Sequence, residues 1–346
     1  TAYEIKECDW SSDVCSSDLG SACSLASPCA SMSSALAAAG ANGEVICLDR
    51  GVYGGALILQ SVTISCGDGF WETGGAFVTI TLQTAAAAAT IEGLVNDRQR
   101  AGPGNALSFN GQGALTLRRA RIGNTGGNGS SGLLFAPTGP AALNVSDTVF
   151  YNETSGHGLL IQPTGAGSAR AQIRTSRFER NFHGLFVNGS FISTAISVSL
   201  DGCAFTDNQN GVNAASAAGA APVTISVKGS QITGNASAGL LSQGVGGTTI
   251  DVGSSLISGN ATGLSTLNSG QIVSFGNNQL RSNTTNGAFT FSQRVGAGRP
   301  YNVTVLTHPE GQTCTVANAA GTVTANVTNV AVTCTTSSMR QPPSPR

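Results

Sequence analysis

Charged residues are scarce in this chain, and their scarcity excludes several classes of partner. Lys and Arg total 17 and Asp and Glu total 18, so charged residues make up 10% of the 346 residues and the formal net charge is −1. Soluble domains usually carry about 25% charged residues. We therefore predict no basic face for nucleic acid and no polybasic segment for anionic lipid. A run of about 18 apolar residues is also missing, so we predict no membrane span.

The sequence also lacks the motifs that mark metal sites and many hydrolytic sites. No Cys-x-x-Cys pair or His/Cys cluster has the spacing of a zinc site, and no three carboxylates are clustered. Acid–base cleavage of a glycosidic bond needs two carboxylates at a defined separation, whereas Asp and Glu occur singly here. We predict neither a metal site nor a cofactor, and we find no recognisable catalytic set.

The sequence does contain one segment that is repeated many times. A bulky apolar residue is followed three positions later by Asn, and then by Gly and a small or apolar residue. The six copies contain Asn152, Asn181, Asn208, Asn235, Asn260 and Asn283, spaced by 29, 27, 27, 25 and 23 residues, and a looser copy contains Asn124. A period of this length indicates that each repeat is one supersecondary unit stacked on its neighbours.

Alternation inside each repeat predicts short β-strands. Apolar residues lie eight and ten positions before each Asn, as at Val198 and Leu200, and polar residues separate them. The third apolar position, three residues before Asn, holds Val149, Phe178, Phe205, Ile232, Ile257 and Leu280. Two or three strands leave no room for a helix in so short a repeat. We therefore predict an all-β fold, a parallel β-helix with coils about 4.8 Å apart.

The Asn column has a structural interpretation in such a solenoid. Asn tolerates the left-handed backbone region that turns require, and stacked side-chain amides can hydrogen-bond from coil to coil. These bonds would satisfy turn groups that are otherwise buried and unpaired. We predict that the six Asn residues of the repeat form a structural ladder.

These features resemble the right-handed parallel β-helix proteins of the pectate-lyase-like superfamily, many of them bacterial and secreted. The resemblance covers roughly residues 23–287 and is carried by the GN-x-x-x-GL turns, by ILQSVTISCGDG and by SFGNNQLRSNTTNGA. It implies a right-handed coil. It also implies a short N-terminal capping helix whose buried stripe would contain Met32, Leu36 and Ala39.

The pattern divides the chain into five segments. Residues 9–19 resemble a translated sequencing adapter, so we interpret residues 1–19 as non-native and expect any signal peptide to be lost. Residues 20–43 are the predicted cap and residues 44–287 the β-helix. From residue 288 the period breaks, which predicts a small β-sandwich-like module over residues 288–335. The Pro-rich residues 336–346 are predicted to be a disordered tail.

Three cysteine pairs are expected. Cys314 and Cys334 flank the C-terminal module, Cys23 and Cys29 bracket the cap, and Cys47 and Cys66 end strands on adjacent coils. Cys203 is left over, and we predict that it is a small buried residue. Disulfides form in oxidising compartments, so we expect the protein to be secreted or exposed at the cell surface.

Charges that recur at one phase of the repeat define a candidate ligand-binding patch. It consists of His157, Arg174, Arg180, His183, Asp201, Asp207 and Lys228, with Glu153 and Glu179 nearby. Stacking would align Arg174, Asp201 and Lys228 on successive coils. The favoured explanation of these charges is an exposed cross-coil charge ladder without a ligand, in which each pair contributes well under about 1 kcal/mol.

Two functions remain open at this point. The first is a carbohydrate-binding, adhesive or structural scaffold, whose partner would be a polysaccharide or cell-surface glycan; the oligomeric state does not follow from the sequence. The alternative is a polysaccharide lyase or glycoside hydrolase, in which the resemblance would allow calcium as a cofactor. Only a lone Gly-His-Gly at His157 matches the hydrolase motifs of the superfamily, so the scaffold is favoured.

Overall fold

The computed structural model describes residues 2–5, 23–24, 27–67, 71–97, 104–124, 129–275, 277–287, 290–291, 295–305, 308, 312–327 and 329–336. The chain divides into two compact units, residues 1–290 and residues 291–346. The first unit is a parallel β-solenoid and the second contains small antiparallel sheets. The predicted fold class is confirmed, and the hand of the coil stays a prediction.

Each coil of the solenoid passes through three walls in chain order. The first wall contains β2 (Gly43–Cys47), β5 (Val62–Ser65), β8 (Ala88–Glu92), the second half of β10 (Leu107–Arg118), the second half of β12 (Ser131–Ser146), β15 (Ser168–Arg174), β18 (Ile196–Asp201), β21 (Val223–Lys228), β24 (Thr248–Gly253), β27 (Gln271–Ser274) and β30 (Thr290–Phe291).

The second wall is a ten-stranded sheet of short strands. It contains β3 (Gly51–Val52), β6 (Trp71–Glu72), β9 (Leu94–Asp97), β11 (Arg121–Gly123), β13 (Val149–Tyr151), β16 (Arg177–Glu179), β19 (Ala204–Thr206), β22 (Gln231–Thr233), β25 (Leu256–Ser258) and β28 (Gln279–Arg281).

The third wall completes each coil. It contains β4 (Ala56–Ile58), β7 (Val78–Leu82), the first halves of β10 and β12, β14 (His157–Ile161), β17 (His183–Asn188), β20 (Asn210–Ala215), β23 (Ala238–Gln243), β26 (Thr262–Leu267) and β29 (Thr285–Gly287). Strands β10 and β12 run from the third wall into the first, which joins the two walls into one 20-stranded sheet. In β10 this corner is made by Gly111 and Gly113, whose φ values of 89° and 101° suit only glycine.

The core is built from columns of apolar side chains in register. On the first wall one buried column contains Ile64, Ile91, Leu117, Val145, Ile173, Leu200, Val227 and Val252. On the second wall Phe150, Phe178 and Phe205 stack, with ring centroids 5.0 and 4.6 Å apart. Because each strand alternates inward and outward residues, a polar column lies on the outer surface beside each apolar one.

The N-terminal end is closed by helix α1 (Met32–Ala39), as expected. Ser31 caps it, accepting a hydrogen bond from the Ser34 backbone N–H at 3.2 Å. Met32 and Leu36 are buried as predicted. The third predicted residue, Ala39, is only partly buried and packs on the core, whereas Ala35 is fully buried, because the stripe follows the i, i+3, i+4 spacing from Met32.

Strand β1 (Ala2–Ile5) lies parallel to β2, with Ala2 opposite Glu44. These four residues belong to the segment 1–19, and they add a strand to the first wall because β2 has an open edge at this end that can pair with an extended segment. The interpretation of residues 1–19 as non-native stays a prediction. Residues 9–19 lie outside the described residues.

Two of the expected disulfides are present in the first unit, Cys23–Cys29 and Cys47–Cys66. The second joins the ends of neighbouring first-wall strands. Cys203 is free and buried, as predicted.

The described residues of the second unit contain two small antiparallel sheets. One pairs β31 (Pro300–Asn302) with β33 (Ala320–Thr322), and the other pairs β32 (Gln312–Ala317) with β34 (Ala331–Thr336). Cys314, which is disulfide-bonded, lies directly opposite Cys334 in the second sheet. Residues 337–346, the predicted tail, lie outside the described residues.

The stacked rings give a stability prediction. Phe178→Ala should lower the free energy of unfolding by about 3–5 kcal/mol, because Phe178 is fully buried between two rings and its loss leaves a cavity. Phe191→Ala is the control, since this side chain is 59% exposed and should change stability by less than about 0.5 kcal/mol. Urea unfolding of both variants checks this, and equal losses would contradict the inward assignment of Phe178.

Candidate functional site

The Asn ladder lies in the turn between the second and third walls. Asn181, Asn208, Asn235 and Asn260 are each at most 2% exposed. The Asn208 Oδ1 atom accepts hydrogen bonds from the Asn181 backbone N–H (2.9 Å) and Nδ2 (3.0 Å), and Asn208 Nδ2 donates to the Phe178 carbonyl (3.0 Å). The pattern repeats along the column, and Asn283 ends it by accepting from Asn260 N–H (3.0 Å) and Nδ2 (2.9 Å).

Asn152, the first predicted rung, is not part of this ladder. Phe150 and Phe178 are opposite each other, so the position of Asn181 is occupied one coil earlier by Glu153. Glu153 is 2% exposed, and its backbone N–H donates to Asn181 Oδ1 at 3.1 Å. The prediction was wrong by one residue because Val149, Phe150 and Tyr151 are all bulky and apolar, and the inward side chain is Phe150 rather than Val149.

Asn152 instead begins a column of residues with a left-handed backbone conformation, each one position before a ladder residue in the sequence. This column contains Asn152, Arg180, Asp207, Gly234, Gly259 and Ser282, with φ between 54° and 68°. Two predicted site residues, Arg180 and Asp207, therefore occupy turn positions that most side chains disfavour. The Arg180 Nε–H donates to Asn152 Oδ1 at 2.7 Å, so these side chains brace adjacent turns.

A second ladder, which the sequence analysis missed, lies in the turn between the first and second walls. Its buried members are Thr148, Ser176, Cys203, Ser230 and Ser255. The Thr148 backbone N–H donates to Ser176 Oγ (3.3 Å), and the Cys203 N–H donates to Ser230 Oγ (3.2 Å). The signal that could have revealed it is a Ser, Thr or Cys five positions before Glu153, Asn181, Asn208, Asn235 and Asn260.

His157 and His183 begin β14 and β17 and face each other in register. Their rings are stacked, with centroids 5.1 Å apart and an interplanar angle of 3°. Phe186 lies against both rings, and Phe182 meets the edge of His183. Burial lowers the pKa of His157 to about 4. Burial, and repulsion from a charged His157, lower the pKa of His183 to about 3. Both rings are therefore neutral at pH 7.

The hydrogen bonds around His183 also favour the neutral ring. Asn210 Oδ1 accepts from the Ala238 backbone N–H (3.2 Å), so the Asn210 amide group turns its NH₂ toward His183 Nδ1 (3.2 Å). The Asn213 Nδ2 atom, also a donor, lies 3.4 Å from His183 Nε2, so both ring nitrogens face amide N–H groups. A neutral ring can accept from one of these donors and the charged ring from neither, which disfavours the charged form.

The charged column lies elsewhere, at the end of the first wall. Arg174, Asp201 and Lys228 are in register on adjacent coils and all three are exposed. Among the described residues they form no ion pair with one another; the Arg174 guanidinium donates to Gln172 Oε1 at 3.1 Å. Ion pairs within the described residues are Arg50–Glu72, Arg119–Glu92 and Arg177–Glu179.

The seven predicted residues therefore lie at three places along the coil. Arg174, Asp201 and Lys228 end the first wall, Arg180 and Asp207 lie in the turn after the second, and His157 and His183 begin the third. Strand β16 separates Arg174 from Arg180. The structure brings the residues together within each column but does not gather the three columns into one site.

A shallow depression on the outer face of the first wall is a better candidate. It has a volume of about 190 Å³ and is lined by Thr116, Arg118, Asn144, Val145, Ser146, Gln172 and Arg174. Only Arg174 was predicted. The others were missed because the predicted patch contained only charged residues at fixed distances from the repeated Asn, and on the coils of Arg118 and Asn144 that Asn lies one residue before the ladder position.

Polar residues continue from this depression along the first wall. One outward column contains Thr116, Asn144, Gln172, Ser199, Ser226 and Asp251, all in register. A parallel outward column contains Arg118, Ser146, Arg174, Asp201 and Lys228. Together they form a face with a hydrogen-bonding group at nearly every outward position, which we call the polar face.

Comparisons with known proteins give little beyond the fold. No protein-family model matches the chain, and no curated protein matches it. The chain is similar to the crystal structure of the Dettilon tailspike protein gp208, with 12% identity and a TM-score of 0.38 over 80% of this chain and 67% of that one. So distant a likeness carries no argument about activity.

The described residues contain no helix long and apolar enough to cross a membrane. Within the same residues, no group of three or more His, Cys, Asp and Glu side chains could hold a metal ion.

The ladder predicts a stability difference between two Asn residues. Asn235→Ala should lower the free energy of unfolding by about 1–3 kcal/mol, because it leaves buried partners on the preceding and following coils unsatisfied. The same substitution at the exposed Asn144 should cost less than about 0.5 kcal/mol. Chemical denaturation of the two variants makes the comparison, and indistinguishable midpoints would refute the ladder's contribution.

The stacked imidazoles predict a pH dependence. Their folded-state pKa values lie below the ordinary 6.5, so stability is full above pH 6.5 and is lost as pH falls toward about 3–4. Between pH 7.5 and 5, His183 alone should account for about 2 kcal/mol. A His157→Asn, His183→Asn variant should lose most of this dependence, as seen in urea midpoints. The same pH slope in parent and variant would contradict the assignment.

Proposed function

We propose that the protein is an extracellular or surface carbohydrate-binding scaffold whose glycan lies on the polar face of the first wall. The observation that supports this most is the depression of about 190 Å³, whose lining includes amide, hydroxyl and guanidinium groups. Sugars present many hydroxyl donors and acceptors, and these side chains match them in both roles.

The rigidity of the polar face supports binding as well. Its side chains project from hydrogen-bonded strands in fixed register, so little backbone freedom would be lost when a ligand binds. The outward residues of β10, β12 and β15 on this wall include no aromatic side chain. A ligand on this part of the face would therefore be held by hydrogen bonds, which suit a hydrated polymer.

Two further observations support an extracellular location and a binding function without cleavage. The disulfides Cys23–Cys29 and Cys47–Cys66 support an oxidising compartment. The residues that line the depression include no carboxylate. Hydrolysis of a glycosidic bond requires two carboxylates, so we propose binding rather than cleavage at this position.

Glycan binding can be tested by calorimetric titration of the full chain with a panel of neutral and acidic polysaccharides. The Asn144→Ala, Gln172→Ala double variant should weaken binding about 10- to 30-fold, because it removes two exposed amide groups from the depression.

The matched control is the Gln231→Ala, Gln279→Ala double variant, which removes two exposed amides from the second wall. It should bind like the parent. Failure of the parent to bind any polysaccharide would overturn the proposed function, and equal weakening in both double variants would move the site away from the polar face.

A further inference from the structure

Two arginines line the depression at opposite ends. Arg118 and Arg174 belong to one outward column, and Ser146 lies between them on the intervening coil. Adjacent coils are separated by the ordinary strand spacing, so the two Cα atoms are about 9.6 Å apart along the solenoid axis. The depression therefore extends along the axis across three coils.

Neither arginine is neutralised by the described residues. Arg50, Arg119 and Arg177 each form an ion pair with a glutamate, whereas no described carboxylate lies within ion-pair distance of Arg118 or Arg174. Arg174 donates to the neutral Gln172 side chain, and this bond leaves the guanidinium charge uncompensated. Both side chains are exposed and border the same depression.

Neighbouring acidic residues do not cancel these charges. Glu92 lies opposite Arg118 in register, but it pairs with Arg119. Asp201 lies one coil beyond Arg174, outside the depression. Arg170 is a third exposed positive charge on the same strand as Arg174. The depression is thus locally positive although the whole chain has a net charge of −1.

We propose that Arg118 and Arg174 recognise an acidic glycan whose anionic groups are carried on alternate sugars. This inference rests on the proposed glycan-binding function of the polar face. An extended pyranose chain laid along the axis advances by roughly one coil per sugar. An acidic group over Arg118 then places the next sugar over Ser146 and Asn144, and the following acidic group over Arg174.

The side chains fit such a sequence of groups. A guanidinium binds a carboxylate or a sulfate ester with two parallel N–H donors, which gives both strength and orientation. Ser146 and Asn144, between the arginines, carry neutral donors and acceptors that suit sugar hydroxyl groups. The shared ligand chemistry is a pair of oxyanions separated by one neutral sugar, from either uronate or sulfated sugars.

The test uses tetrasaccharides titrated against the full chain. One set has two acidic groups separated by a neutral sugar, a second has them on adjacent sugars, a third has a single acidic group, and a fourth is neutral. Uronate and sulfate-ester versions form separate arms that identify the source of the anion. The separated pair should bind about tenfold or more tighter than the single acid in at least one arm.

Variants then test the two arginines. Arg118→Gln and Arg174→Gln should each reduce the affinity for the separated pair to that for the single acid. Arg281→Gln, an exposed arginine on the second wall, should leave it unchanged. All three positions are exposed, so folding should be retained, which circular dichroism checks. Raised salt should weaken the binding of the tetrasaccharide with two separated acidic groups more than the binding of the one with a single acidic group.

A re-spaced variant tests the coil distance itself. Ser146→Arg combined with Arg174→Gln brings the two guanidinium groups onto adjacent coils and should shift the preference toward acidic groups on adjacent sugars. Equal binding of acidic and neutral tetrasaccharides, or an unchanged preference in this variant, would overturn the inference and leave the proposed function standing. No binding of any saccharide by the parent would instead remove the proposed function.

Discussion

The constraint on which this structure depends is the pairing of polar groups in turns that stacking buries. When coils lie about 4.8 Å apart, the turn of one coil covers the turn of the next, and backbone N–H groups there lose contact with water. An unpaired buried donor costs about 1–3 kcal/mol. The two ladders remove this cost at two corners of the coils that they span, with amides after the second wall and mostly hydroxyl groups after the first.

The ladders also determine where other chemistry can occur. At the start of the third wall, next to the Asn ladder, stacking, burial and amide contacts keep the imidazoles of His157 and His183 neutral. Arg180 bonds to the preceding turn rather than facing solvent alone. Side chains on the outer faces of the walls are not needed to pair buried turn groups, so they remain available for ligands.

Much of the fold could be predicted from the sequence, because the ladder Asn fixes the phase of every coil from Asn181 onward. Counting from it placed the inward Phe178, Phe205 and Ile232 and the outward Arg174 and Asp201 correctly in register. The predicted phase is wrong at Asn152, where three consecutive bulky residues leave the inward position ambiguous. The hydroxyl ladder escaped notice because Ser and Thr are common at many other positions in this sequence.

The candidate site was harder to predict from the sequence. The position of a residue within the repeat indicates which residues align along the solenoid axis, but it does not indicate which wall they occupy. Arg174, Arg180 and His183 are within ten residues of one another, yet they lie on the first wall, in a turn and on the third wall. Because these residues are close in sequence, one patch was predicted, but the coil places them at three separate positions. Conversely, Arg118 and Arg174 are 56 residues apart and share one column.

That column shows what a solenoid offers a polymeric ligand. In a globular domain the distance between two binding groups depends on many contacts, but here it is a whole number of strand spacings fixed by backbone hydrogen bonds. A ligand that is itself periodic can therefore meet several equivalent positions without adjusting its conformation, which lowers the entropic cost of each successive contact. Moving one binding side chain to the next coil changes the spacing of ligand groups that the column matches by one strand spacing. The ladders and the core columns beneath that side chain stay in place.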